Sequence, residues 1–323
     1  MSDLKNIFHN CLDVIVENDI YFPVRFTDKL FRFYESTGVA QFPERAVQTA
    51  GITMEFCTSQ EEIGFTFFFT CFARDWITFD VYENDIFMET VHFEDRALKA
   101  RFRYKKRNAG QTRIVIYMPA TADTHFTDFD LGDYHPVQAP ARKYLALGCS
   151  ITQGMEAVSP SITYTNIVKR HYNAQILNLG IGGFYYDPDS LDEELPYDPD
   201  IITVAYGTND AASNASVGEI SAKTSGYLEK LRSIYPGKTV HVITPVWRKE
   251  WDDDPSFLKK ASEIQDMIVK EASRQQFHVI DGRPTIPHSP AFYKDGFLHP
   301  NDLGFALYGL YVIKNMKVDQ VTS

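Results

Sequence analysis

The feature that most constrains this chain is a change of hydrophobic pattern at the two-proline stretch His135-PVQAPAR. Before it, short segments rich in Phe, Ile, Thr, Val and Tyr follow one another: GITMEFCTS, EIGFTFFFTCFA, WITFDVYEND, IFMETVHFED, ALKARFRYKK and TRIVIYMPA. Glu-Glu, Asn-Asp, Asp-Arg and Asn-Ala-Gly breaks separate them. Strands at this spacing without long helices between them predict an antiparallel sandwich or jelly roll. Beyond the prolines, strand and helix patterns alternate, which predicts βαβ units on a parallel sheet. The division is placed at residues 1–137 and 138–323, with the prolines as the linker.

The first unit has one ambiguous stretch. Leu4, Ile7, Phe8, Cys11, Leu12, Ile15 and Val16 fit a helical stripe, yet CLDVIVEND alternates as a strand does. In the second unit the expected strands are KYLAL (143–147), QILNL (175–179), IITVAY (201–206), TVHVIT (239–244) and FHVID (277–281). Helices are expected over 163–172, 217–234, about 256–276 and 301–316, the last with Asn301 and Asp302 as cap candidates. Five such strands fit a flavodoxin-like three-layer α/β/α sandwich.

Composition narrows the function classes. A formal net charge of −11 argues against a nucleic-acid or anionic-membrane surface. No run approaches the length of a membrane span, and the N-terminus shows no basic-then-apolar secretory pattern. Cys11, Cys57, Cys71 and Cys149 have neither zinc nor disulfide spacing. They read as reduced thiols, so a cytoplasmic location is expected. No tight metal-ligand cluster, P-loop or dinucleotide fingerprint is present, so neither metal nor cofactor is expected. GxSxG is absent as well.

What the second unit offers is an ordered set of polar positions, each just past an expected strand. Ser150 follows the first strand in LALGCSITQG. NLGIGG (178–183) follows the second, YGTND (206–210) the third, and DGFLHPND (295–302) the last. The C-terminal ends of parallel strands converge, so all four sites can share one cleft. Ser150 alone could be a helix N-cap after a glycine turn. Taken together, the set is chemically coherent. His299 can act as base for the serine. The Ser150 and Gly183 N–H groups and the Asn209 amide could donate to an oxyanion, although Gly182 could take the place of Gly183. A carboxylate would orient the imidazole. Trp247, after the fourth strand, could wall the pocket or simply pack at a loop base. Tyr185, with Tyr186, could line the cleft or cover surface.

The four blocks resemble the SGNH hydrolases, also called GDSL esterases and lipases, over roughly residues 140–316. Ser150 in GCSIT, Gly183 in NLGIGG, Asn209 in GTND and His299 in HPNDLGF match the family's Ser, Gly, Asn and His in chain order. The first unit resembles, in pattern, the β-sandwich preceding that fold in some carbohydrate esterases and acyl-tailoring enzymes. The resemblance implies a metal-free serine esterase acting on small acyl esters, acetyl on a sugar being the first expectation. The partner is then a small-molecule or carbohydrate ester. An acyltransferase using the same acyl-enzyme, or a non-catalytic glycan-binding protein, are the alternatives. Two departures stand out. Cys149 occupies a position where the family usually has Asp. Asp295 lies four residues before His299 rather than three, so it either completes the triad across a longer turn or only caps that turn, leaving a backbone carbonyl to orient the imidazole.

Overall fold

The computed structural model describes residues 4–318, so the outermost ends of both expected units lie outside the described residues. The first strands are β1 (Phe8–His9), β2 (Asp13–Glu17) and β3 (Ile20–Val24). Alternation therefore prevails over the helical stripe, and only Leu4–Ile7 makes a single helical turn. Asn18 and Asp19 between β2 and β3 both take positive φ (52° and 62°), the two-residue reverse turn that Asn and Asp tolerate. Two short helices follow, α1 (Asp28–Ser36) and α2 (Gln41–Ala46). They interrupt a region whose sequence reads as largely β.

The remaining strands of the first unit are β4 (Thr53–Thr58), β5 (Glu62–Phe68), β6 (Ile77–Glu83) and β7 (Ile86–Phe93). After them come β8 (Lys99–Lys105), β9 (Thr112–Tyr117), β10 (His125–Asp130) and β11 (Tyr134–Pro136). One antiparallel sheet runs β1-β4-β9-β6-β7, with β11 also on β4. A second runs β2-β3-β10-β5-β8. Phe56, Phe65, Phe67, Phe79, Phe102 and Phe126 are fully buried in the sandwich core. Phe65 stacks on Phe102 across neighbouring strands, with ring centroids 4.5 Å apart. Each buried ring contributes roughly 1.5–3 kcal/mol by leaving water, which accounts for the phenylalanine-rich first half.

The second unit comprises β12 (Arg142–Gly148), α3 (Ser150–Gln153), α4 (Tyr164–His171), β13 (Ala174–Gly180), β14 (Ile201–Ala205), α5 (Thr208–Ala212) and α6 (Val217–Ile234). It closes with β15 (Thr239–Ile243), α7 (Glu250–Asp253), α8 (Pro255–Arg274), β16 (His278–Ile280) and α9 (Asp302–Asn315). The sheet order is β13-β12-β14-β15-β16, parallel throughout. This is the flavodoxin-like order, in which the chain first steps one way from β12 and then the other. Right-handed crossovers then send α4 with α9, and α6 with α8, to opposite faces.

The two units share more than a linker. Phe26, Leu30, Tyr34, Phe42 and Ala46, from α1, α2 and their approach, are buried in the same apolar core as the parallel sheet. Phe42 meets Phe184 edge-on at 5.1 Å. Residues 26–46 thus lie between sandwich strands β3 and β4 in sequence but pack on the α/β layer beside the loop after β13.

Candidate active site

Strand β12 is central in its sheet and delivers Ser150 to the C-terminal edge. A side chain at Gly148 would collide with Thr152 Oγ1 (2.0 Å from an added Cβ) and the Ala205 carbonyl (2.9 Å), so the turn can only be this tight with glycine. The helix that begins at the serine is a single turn, α3, stopped by Gly154 at φ 100°. Ser150 keeps only 4% of its surface exposed.

His299 arrives from the loop before α9, and the four-residue offset proves compatible with a relay. Asp295 uses its two oxygens differently. Oδ1 accepts the N–H groups of Phe297 (3.0 Å), Leu298 (2.9 Å) and His299 (3.1 Å). Oδ2 pairs with His299 Nδ1 at 2.6 Å. The carboxylate caps the turn and also holds the ring, so the imidazole is oriented by Asp295 itself. An ionised carboxylate only accepts, so Nδ1 carries a proton and donates it. Neutral imidazole then presents a lone pair on Nε2, which lies 2.8 Å from Ser150 Oγ and accepts its hydrogen. Burial alone would raise the Asp295 carboxyl. Hydrogen bonds from the imidazole and from the Leu298 and Phe297 N–H groups outweigh it and hold the group at about 2.

Cys149 is buried, and burial raises its thiol above the ordinary value. A desolvated thiol is a poor source of thiolate, so this neighbour of Ser150 behaves as a small packing residue.

The other two blocks meet beside the serine loop. Asn209 Nδ2 donates to the Phe184 carbonyl (2.8 Å), which fixes the amide and leaves its second hydrogen available. Asp210 accepts from Tyr186 N–H (3.2 Å) and Gly207 N–H (3.0 Å), tying the YGTND loop to the residues after NLGIGG. Of the two candidate glycines, Gly182 has its N–H committed to Gln153 Oε1 (2.8 Å). Gly183 sits at φ 78°, a conformation that favours glycine.

Residues 146–307 match the GDSL-like lipase/acylhydrolase family. The chain belongs to that family. It is an SGNH-type hydrolase with an esterase architecture. No curated protein matches it by sequence. Solved structures share its fold across both units. A salicylyl-acyltransferase, SsfX3, from a tetracycline biosynthetic pathway aligns with TM-score 0.79 at 18% identity, over 96% of this chain and 93% of its own. A GDSL-like lipase from Bacteroides ovatus aligns at 0.74 and 17%, over 95% and 92%. An acetyl xylan esterase from the rumen bacterium Butyrivibrio proteoclasticus aligns at 0.59 and 14%, over 95% and 97%.

In this family member the two aromatic candidates behave differently. Trp247 is 2% exposed. It donates from Nε1 to Asp252 (3.2 Å), stacks on His288 and meets Tyr293 at a tilt. It packs against Tyr293 at the base of the Asp295 turn. Tyr185 is half-buried, stacked on Phe184 at 4.9 Å with the Lys223 ammonium 5.1 Å from its ring centre. Sequence reasoning passed over Gln153, Asp210 and Arg45, which hold the loops rather than face a substrate. Gln153 lies inside LALGCSITQG and Asp210 beside Asn209, so adjacency to the blocks was the available signal. Arg45 carried none. Among the described residues no group of three or more His, Cys, Asp or Glu side chains could hold a metal ion, and no helix is long and apolar enough to cross a membrane.

Proposed function

We propose that the chain is a serine esterase that hydrolyses small acyl esters, acetyl foremost, on a carbohydrate. The observation that carries this reading is the unbroken Asp295–His299–Ser150 relay at 2.6 and 2.8 Å on the C-terminal edge of the parallel sheet. Ser150 Oγ attacks the ester carbonyl as its proton passes to His299 Nε2. The tetrahedral oxyanion is held by the Ser150 and Gly183 N–H groups and the free hydrogen of the Asn209 amide. Asp295 stabilises the imidazolium without taking its proton. His299 then protonates the departing alkoxide as the C–O bond breaks. Water, deprotonated by the same nitrogen, releases the acid and restores the serine. In this reading Tyr185 lines the same cleft.

The carbohydrate assignment leans on the fold shared with carbohydrate esterases. A second reading, transfer of the acyl group to an alcohol, draws on the likeness to SsfX3 over nearly the whole chain. In that case the same acyl-enzyme meets an acceptor hydroxyl instead of water. The division at residues 137 and 138 is proposed for the chain order only, since residues 26–46 pack with the later unit. A cytoplasmic location fits the four free cysteines.

The test is turnover of p-nitrophenyl acetate through octanoate by wild type, Ser150→Ala and His299→Ala. Wild type should turn over the short esters and be labelled by a serine-directed phosphonate, whereas both variants should fall by roughly 10⁴-fold or more. Wild type no faster than the variants, with no covalent adduct, sinks the esterase reading. Acetylated sugar as donor, with and without added alcohol, separates hydrolysis from transfer.

A further inference from the structure

Two arginines from the first fifty residues converge on the glycine loop of the proposed oxyanion hole. Arg25 is 1% exposed; its guanidinium donates to backbone carbonyls and lies 4.9 Å from the centre of the Phe26 ring. Nε donates to Gln48 (2.6 Å) and Nη2 to Arg45 (2.8 Å), while Nη1 reaches Asn178 and, at 3.4 Å, Gly180. It therefore joins α2 to the last residues of β13. Burial lowers the Arg25 guanidinium to about 9. Arg45, in α2, donates from Nη1 to the Gly182 carbonyl at 2.6 Å. Gln48 completes the frame: its Oε1 accepts from Gln153 Nε2 (2.6 Å), whose Oε1 in turn accepts the Gly182 N–H.

The consequence lies in one peptide plane. The Gly182 carbonyl and the Gly183 N–H belong to the same planar trans unit, so they point in opposite directions. Fixing that carbonyl on Arg45 fixes where the Gly183 N–H points. Glycine stands on both sides of this unit, so without an anchor little opposes its rotation. A charged donor on the carbonyl also polarises the amide and strengthens its N–H. The guanidinium sits close enough that a Cβ added at Gly183 would lie 3.1 Å from Nη1.

We propose that Arg45, seated by Arg25, is a positioning residue for the oxyanion hole: it clamps the Gly182 carbonyl so that the Gly183 N–H stays aimed at the developing oxyanion. This rests on the esterase reading above. Arg45 touches neither substrate nor the reacting atoms, and it reaches the chemistry only through the glycine peptide.

The experiment compares wild type, Ser150→Ala, Arg45→Ala and Arg45→Lys on p-nitrophenyl acetate, with thermal unfolding of each. A folded Arg45→Ala should lose about ten- to a hundredfold in kcat with KM within about threefold, less than outright removal of a donor. Arg45→Lys should regain part of the loss, because an ammonium can donate to the same carbonyl. Millimolar guanidinium ion should also restore part of the Arg45→Ala rate. Wild-type kcat in a folded Arg45→Ala overturns the proposal. So does a loss that neither lysine nor guanidinium relieves, which would mark Arg45 as packing only. Wild type no faster than Ser150→Ala overturns the esterase reading and this proposal with it, whereas an active wild type separates the two.

Discussion

Asp295 and Asp210 stand at the same edge of the parallel sheet, and their surroundings push them in opposite directions. Asp295 gathers three backbone N–H groups and an imidazole, and it rests at about 2. Asp210 is 4% exposed and is pushed up to about 6, because burial outweighs the N–H groups of Tyr186 and Gly207 that it accepts. The difference lies in the ratio of donors to desolvation, not in residue type. A carboxylate meant to stay ionised beside a histidine needs more donors than one that pins two loops together.

The comparison breaks most visibly in activity. Asp295→Asn keeps the shape of the turn but offers an amide to Nδ1, favouring the wrong tautomer. We expect kcat to fall by about 10³–10⁴-fold with little change in the unfolding temperature. A rate within a few-fold of wild type would reduce Asp295 to a turn cap.

The next effect is on stability against pH, and its two parts have opposite sign. Asp295 lies below its ordinary value of 3.8, so its contribution is complete above about pH 4 and is lost as pH falls towards 2. Asp210 lies above 3.8, so the native state holds a proton that the unfolded chain has released between about pH 4 and 6. Its contribution is therefore present below pH 4 and lost as pH rises through 6, by about 2–3 kcal/mol. The difference in urea stability between wild type and Asp210→Asn, measured from pH 4 to 7, should carry that slope. A difference flat across this range would mean that Asp210 is not desolvated in solution. The equivalent comparison for Asp295→Asn should change only below pH 4. Its size should be smaller, about 1–2 kcal/mol, since solvent partly screens the Asp295 turn.

Cys149 gives the smallest effect. It is buried like Asp210 but carries no charge to pay for in desolvation, so Cys149→Ala should cost about 1 kcal/mol of packing and leave kcat within about threefold. A large loss of activity in a folded variant would return the thiol to the chemistry.

Much of the site was legible because its blocks follow strands. Alternating patterns locate β12 to β16, and the ends of parallel strands must converge, so the sequence pattern alone groups Ser150, Asn209 and His299 at one edge. The offset of Asp295 was not decidable that way. Whether a carboxylate caps a turn, holds a ring or does both depends on where its two oxygens point, and spacing does not record that. Trp247 illustrates the same limit, since a tryptophan after a strand has the same pattern whether it lines a cleft or braces a loop.

The amino-acid sequence by itself determined the two-part architecture, the order of the parallel sheet's elements and the chemical identity of the residues at its edge. All of these are written in local periodicity and in short blocks that each carry their own side-chain signal. Only the tertiary structure decided that α1 and α2 pack on the α/β layer, that Gly182 is committed while Gly183 is held through Arg45, and that Arg25 joins the two units. The physical reason is that these arginines bind backbone carbonyls, which every residue possesses. A contact between a side chain and an anonymous carbonyl more than a hundred positions away leaves no complementary residue in the sequence to find.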